Sequence, residues 1–244
     1  MLWTYNRNMF TIRPKDERGK TESLWLDSSH SFSFAQYYDP NYMGFSDLRV
    51  LNDDVIRPEG GFSLHHHDNM EIITIILSGR LEHKDSLGSK QVLHAGEIQV
   101  MTAGSGVMHS EYNPSSEEDV HFLQIWILTD TYNLPPEYNV KFFPEKELLN
   151  EFKLIVSHDG RNGSLKINQD ADLYRIFLEK VKGIVNFELN IDRKYWIQVA
   201  QGNIKVNNQV LKQGDGLAIK SEKGFLEIDG IAEKSDILLF NLAK

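Results

Sequence analysis

Two short runs, His65-His66-His67 and His109-Ser110-Glu111, hold the residue types in this chain best suited to chemistry. Side chains two apart on an extended strand point to the same face, so His65 and His67 would project together, as would His109 and Glu111. Two such strands facing each other would bring three imidazoles and one carboxylate to a single point. That donor set suits a divalent transition ion: iron(II), nickel, manganese, zinc, copper or cobalt. A closed tetrahedral zinc site would leave no open position, whereas a six-coordinate ion would leave room for dioxygen or a bidentate substrate. The residues alone leave both open. A single histidine is usually a partly buried polar side chain. Burying four such groups together, however, is costly unless they share a partner, and a metal is the natural one.

Each pair follows a glycine-containing turn, Gly60-Gly61 for the first and Ala103-Gly104-Ser105-Gly106 for the second. His66 falls on the opposite face and receives no metal role. His83 and His94 flank a hairpin and are expected on its surface, while His121 alternates with apolar Val120 and Phe122. Asp68 and Glu71 are close enough in sequence to orient an imidazole N–H, or else belong to solvated turns. Phe34, Phe45, Met101 and Trp126 are candidate walls of an apolar pocket, with Met43, Phe62, Ile73 and Met108 as further members. Core packing is the competing role for most of them.

The elements that must position these groups read as short strands. Segments rich in β-branched and aromatic residues recur between Gly, Asn, Asp and Pro: Phe32–Tyr38, Leu48–Leu51, Glu71–Leu77, Gln91–Leu93, Ile98–Met101, Phe122–Leu128, Ile184–Leu189, Tyr195–Ala200 and Gly216–Ile219. This pattern predicts an all-β sandwich or barrel with few short helices. The best helical stretch is Pro144–Phe152, with proline in the first turn, Glu145 and Glu147 early, and Leu148, Leu149 and Phe152 on one face. With the strand-breaking Leu134-Pro135-Pro136-Glu137 before it, it reads as a connector. The expected organisation is residues 1–135 as a metal-binding half, 136–152 as connector and 153–244 as a second half.

The halves share a module: strand, glycine turn, strand, Gly-acidic pair, strand. It runs through Glu71–Leu77, Ser78-Gly79, Ala95-Gly96-Glu97 and Ile98–Met101, then again through Tyr195–Ala200, Gln201-Gly202, Gln213-Gly214-Asp215 and Leu217–Lys220. The reuse argues for internal duplication. Eight of the nine histidines lie at or before His121, and the ninth is His158. Where the first half offers His109 and Glu111, the second reads Gly224-Phe225-Leu226-Glu227-Ile228. One half is therefore equipped for a metal and the other is structural.

Composition narrows the classes further. A net charge of −9 over 244 residues gives no general attraction to nucleic-acid phosphates. With no cysteine, disulfides, thiolate-bound zinc and iron–sulfur clusters are excluded. Met1–Asn8 shows no signal-peptide pattern, and the aliphatic run Ile72–Leu77 is far too short for a bilayer, so a cytoplasmic protein without membrane partners is expected. Gly104-Ser105-Gly106 lacks the continuation of a nucleotide loop, and no Gly-x-Ser-x-Gly elbow is present.

The stretch His30–Asn113 resembles the pirin family of bicupins. The likeness is carried by Phe32-Ser33-Phe34-Ala35, Leu48-Arg49-Val50-Leu51-Asn52-Asp53-Asp54, His65-x-His67, Met70-Glu71, Gly79, Gly96, and Gly106-Val107-Met108-His109-Ser110-Glu111-Tyr112-Asn113-Pro114. Gln124-Ile125-Trp126-Ile127 and a second half without histidine ligands extend it over nearly the whole chain. The resemblance implies two jelly-roll-like cupin barrels, with a metal, Fe(II) first among the ions named, held in the front barrel by His65, His67, His109 and Glu111. It implies quercetin 2,3-dioxygenase-type chemistry, opening a flavonol or related polyphenol ring with O2, in which Glu111 also takes the substrate's hydroxyl proton. The alternative it carries is a non-enzymatic iron-containing redox sensor that acts on a protein partner, as the eukaryotic pirin does. A sugar-binding or isomerase cupin would need inward Lys and Arg, and only Arg57, Arg80 and Lys84 are near. One departure is His66, where the family commonly has proline.

Overall fold

The computed structural model describes residues 9–244; Met1–Asn8, the stretch read for a leader, lies outside them. The chain divides into two compact units. One comprises Arg18–Pro144 with Val156–Asp170; the other comprises the residues up to Glu17, Glu145–Ile155 and Ala171–Lys244.

The first unit holds β2 to β12, and β1 (Phe10–Arg13) precedes it in the chain. Its strands are β2 (Gly19–Glu22), β3 (Leu26–His30), β4 (Leu48–Ile56), β5 (Gly61–His67), β6 (Met70–Ser78) and β7 (Arg80–Asp85). They continue as β8 (Lys90–His94), β9 (Glu97–Thr102), β10 (Val107–Tyr112), β11 (Val120–Leu128) and β12 (Glu137–Phe142). One sheet runs β12-β9-β6-β11-β4-β3-β2 and the other β5-β10-β7-β8. Alternating residues of both sheets meet in a core of Leu26, Ile56, Ile76, Leu81, Leu93, Val120 and Phe122, the inward-facing arrangement of a β-sandwich. Ile72, Met101, Ala103 and Val107 form a second apolar cluster.

After the single helical turn α1 (Glu145–Leu148) come β13 (Lys153–Ser157), β14 (Leu165–Lys166), β15 (Ala171–Glu179), β16 (Ile184–Leu189), β17 (Lys194–Gln201) and β18 (Asn203–Val206). The chain ends with β19 (Gln209–Lys212), β20 (Gly216–Lys220), β21 (Gly224–Gly230) and β22 (Lys234–Leu242). The second unit repeats the plan, with β1-β20-β17-β22-β15 in one sheet and β16-β21-β18-β19 in the other. Its interior is closed by Ile176, Tyr195, Ile197, Leu226, Ile237 and their neighbours. This is the all-β, two-barrel architecture expected.

The linear division at 135 and 153 differs from the one found, because strand pairing ignores chain order. β1 pairs antiparallel with β20, Phe10 opposite Ile219. The stretch after Pro136 is no connector: β12 pairs with β9, Tyr138 opposite Met101. The helix expected over Pro144–Phe152 stops at Leu148, since Leu149 bridges Phe177. Asn150 then turns left-handed at φ 61, donating its N–H to the Phe177 carbonyl at 2.8 Å. Phe32–Tyr38 is likewise a loop rather than a strand, closed by a Phe34–Tyr37 bridge around Ala35 at φ 50.

Candidate metal centre

β10 lies between β5 and β7, and this placement assembles the site. His109 stands opposite His65 on one side and Asp85 on the other. A register shift in the β5–β10 pairing leaves Glu111 opposite Phe62 rather than Ser63. Such a bulge re-aims side chains, which is why Phe62, His65 and His67 all line one cavity while Leu64 is exposed. Gly61 permits the closeness of the strands: a Cβ there would stand 2.4 Å from the Glu111 carbonyl oxygen.

The three imidazoles form a tight triangle. Ring centroids are 4.4 Å apart for His65–His109, 4.8 Å for His65–His67 and 4.8 Å for His67–His109. Their ligand atoms lie within 4.8 Å of one another, as do those of a second group, His83, His109 and Glu111, which shares His109. Both groups lie in the first unit. His109 is fully buried and Glu111 1% exposed. Burial, with the neighbouring imidazoles, holds His109 down to about 2 and His67 down to about 4, so both rings are neutral donors at ordinary pH. Burial, reinforced by the nearby Asp54, pushes Glu111 up to about 7.

Two atoms decide that these residues fit a cation. His109 Nε2 and Glu111 Oε1 are buried without a hydrogen-bond partner among the described residues. Orphaned buried acceptors are costly and uncommon. The other atoms of these groups are occupied: Gln124 Nε2 donates to Glu111 Oε2 at 3.0 Å, and Thr74 Oγ1 donates to Gln124 Oε1 at 2.7 Å. His65 donates from Nδ1 to the Ser63 carbonyl at 2.8 Å, which frees its Nε2.

The cavity beside the triangle encloses about 170 Å³ and is lined by Phe34, Phe62, Leu26 and Trp126 together with His65, His67, Glu111 and a polar wall of Thr21, Ser28, His30, Asn52 and Asp54. Trp126 packs edge-on to His67 at 4.8 Å and to Phe34 at 5.4 Å. On the polar wall, Ser28 Oγ donates to Asp54 Oδ1, and His30 Nδ1 lies 2.8 Å from Asn52 Oδ1. Burial pushes Asp54 up to about 7.

Not every sequence candidate is here. Phe45 is buried and Met101 packs with Ile72 and Val107, and neither lines the cavity. Glu71 accepts from Thr102 Oγ1 at 2.7 Å and from Asn168 Nδ2 at 3.1 Å, away from the imidazoles. Exposed Asp68 pairs loosely with His66, which points outward as expected. His121 faces Asp53 Oδ1 at 2.6 Å. His94 is exposed, but His83 is not the surface residue expected: it is fully buried and its Nδ1 lies 3.5 Å from His109 Nδ1. The signal was present in β7, where charged Arg80, Glu82 and Lys84 alternate with Leu81, His83 and Asp85. Gln124 was likewise missed; it alternates with Phe122 and Trp126 on the inner face of β11.

Comparison with known proteins now bears on this arrangement. A family model described as Pirin matches residues 11–127, and one described as the quercetinase C-terminal cupin domain matches 154–242. A quercetin 2,3-dioxygenase of Escherichia coli (strain K12) is 46% identical over 96% of this chain and 99% of its own length. The chain belongs to the pirin family. A pirin-like protein of Caulobacter vibrioides is 39% identical over 88% of this chain and 92% of its own. Among solved structures, the bacterial pirin YhhW of Escherichia coli in complex with nickel(II) superposes with a TM-score of 0.90 at 45% identity, covering 96% of this chain and 99% of that one. Quercetin 2,3-dioxygenase of Acinetobacter baumannii, 18% identical, shares the fold, with a TM-score of 0.75 over 98% of this chain and 81% of its own. Among the described residues of this pirin, no helix is long and apolar enough to cross a membrane.

Proposed function

We propose that this pirin is a cytoplasmic, metal-dependent dioxygenase of the quercetin 2,3-dioxygenase type, opening a flavonol or related polyphenol ring with O2. The carrying observation is that His109, whose Nε2 is orphaned, forms a tight triangle with His65 and His67, while those two and Glu111, whose Oε1 is orphaned, line an aromatic-walled cavity. The near full-length relative named for this activity supports the reading.

His65, His67, His109 and Glu111 would hold one divalent transition metal. Iron(II) is the first candidate, and the 45%-identical bacterial pirin solved in complex with nickel(II) supports a transition ion. Such an ion supplies Lewis acidity and a template for substrate and dioxygen. The chain's own groups do the rest. Trp126, Phe34 and Phe62 offer flat apolar walls to an aromatic ring and keep water off its face. Glu111 lines the cavity with Oε1 free of protein donors, and would serve both as ligand and as acceptor of the substrate's hydroxyl proton. Gln124 keeps Oε2 occupied and so fixes which oxygen faces the cavity.

The test is elemental analysis of protein as purified, then O2 uptake with quercetin and a panel of polyphenols after reconstitution with iron(II), nickel(II), manganese(II) or zinc(II). Metal-dependent uptake that Glu111→Gln abolishes is expected. No uptake with any loaded form would overturn the enzymatic reading.

A further inference from the structure

Behind His109 stand a second imidazole and a carboxylate that no step above uses. Asp85 Oδ1 accepts the backbone N–H groups of Leu87 and Ser89, each at 2.9 Å. Its Oδ2 lies 2.9 Å from His83 Nε2, and both side chains are fully shielded from solvent. Burial alone would raise the Asp85 carboxyl, but the hydrogen bonds from His83 and Ser89 outweigh it and hold the group below its usual range. Asp85 is therefore a carboxylate with no proton to give, and His83 Nε2 must carry the shared hydrogen.

The His83 ring is fully shielded from solvent and walled by His109 and Tyr138, where an uncharged imidazole is the form that burial favours. A neutral imidazole has one N–H, so His83 Nδ1 presents a bare lone pair. It faces His109 Nδ1 at 3.5 Å. Two lone pairs cannot satisfy each other, so the hydrogen of His109 sits on Nδ1 and the orphaned Nε2 is left as a donor to the site. His65 reaches the same tautomer through the Ser63 carbonyl. Tyr138 stacks on His83 with centroids 4.5 Å apart and planes 21° from parallel, which fixes the plane of the relay.

We propose that Asp85 and His83 are a positioning pair that locks His109 in its Nδ1–H tautomer and presets Nε2 for the metal, and that His83, although within reach of His109 and Glu111, is not itself a ligand. The relay serves the metal site proposed above and rests on it. Partners that orient a ligating histidine typically change metal affinity 10–100-fold when removed.

Two-bond 1H–15N spectra of the metal-free protein with 15N-labelled histidine read the tautomers directly. The expected result is Nδ1–H for His109 and Nε2–H for His83; Nε2–H on His109 would overturn the proposal. In Asp85→Asn the amide donates to His83 Nε2, so both rings should flip and nickel(II) affinity, measured by chelator competition, should drop by about 10–100-fold. Unchanged tautomers and affinity would overturn it. His83→Asn places an amide oxygen where Nδ1 stood and should restore the His109 tautomer and near wild-type affinity. A loss as deep as that of His65→Ala would instead make His83 a ligand and overturn the proposal. Should Asp85→Asn fail to fold, the wild-type spectrum and His83→Asn still decide. Wild-type protein that takes up no nickel(II) would sink the metal reading itself, and the metal-free spectrum would still decide the tautomer.

Discussion

Gln124 donates to Glu111 Oε2 at 3.0 Å from the middle of β11, a strand of the opposite sheet from the one that carries Glu111. The bond ties the two sheets together at the site. It also settles which carboxylate oxygen is left for a cation or a proton. Thr74 holds Gln124 in turn, and Gln99 Nε2 donates to Thr74 at 3.2 Å, so a buried polar ladder crosses three neighbouring strands behind Glu111.

Gln124→Leu keeps a side chain of similar bulk on β11 and should retain the fold, yet it leaves Glu111 Oε2 without its donor and Thr74 without its acceptor. Nickel(II) affinity is expected to fall by about 10–100-fold, read by chelator competition, with the far-UV circular dichroism unchanged. Affinity equal to wild type would show that Glu111 needs no such support.

Metal uptake should be coupled to a proton. Burial first, and Asp54 second, raise Glu111 from its ordinary 4.5 to about 7, so the metal-free protein holds a proton there at pH 6 that binding must displace. Calorimetry in buffers of different ionisation enthalpy should show proton release near one at pH 6 and little at pH 8.5, with affinity falling about tenfold per unit below 7. The sign for stability is opposite. A raised carboxyl pKa means that the folded metal-free chain binds more protons than the unfolded chain between 4.5 and about 7, so this group's contribution is full below 4.5 and is lost as pH rises through 7.

Gly61→Ala tests the strand spacing. Its Cβ would meet the Glu111 carbonyl oxygen at 2.4 Å and Tyr112 Cα at 2.6 Å, both backbone atoms that cannot step aside alone. Overpacking of this kind typically costs about 1–3 kcal/mol, measurable by urea denaturation. Because the strands pushed apart carry His65 and His67 on one side and His109 and Glu111 on the other, metal affinity should drop along with stability.

The i,i+2 geometry makes a sharp contrast between adjacent residues. His66→Ala removes a half-exposed side chain directed away from the triangle and should leave metal content and melting temperature near wild type. His65→Ala removes a corner of the triangle and should leave the purified protein with little metal. Equal metal content in the two variants would contradict the site.

Local rules determined much of this protein before any fold was known. Period-two alternation put His65 with His67 and His109 with Glu111 because a strand has only two faces. β-branched runs between turn residues placed β6, β9, β11, β16, β17 and β20 to within a residue or two, because turn signals and strand periodicity are written within a few positions. Pairing partners are another matter, since they join residues far apart in the chain. Nothing near Phe10 announces β20, and nothing near Tyr138 announces β9, so the boundaries between the units had to come from the tertiary structure. The same holds within the site. His83 belongs to an alternating strand whose inward face becomes evident only once β7 is seen beside β10, and Gln124 meets Glu111 only because two sheets close on each other. Spacing along one strand decides which donors can point together; packing between sheets decides what stands behind them.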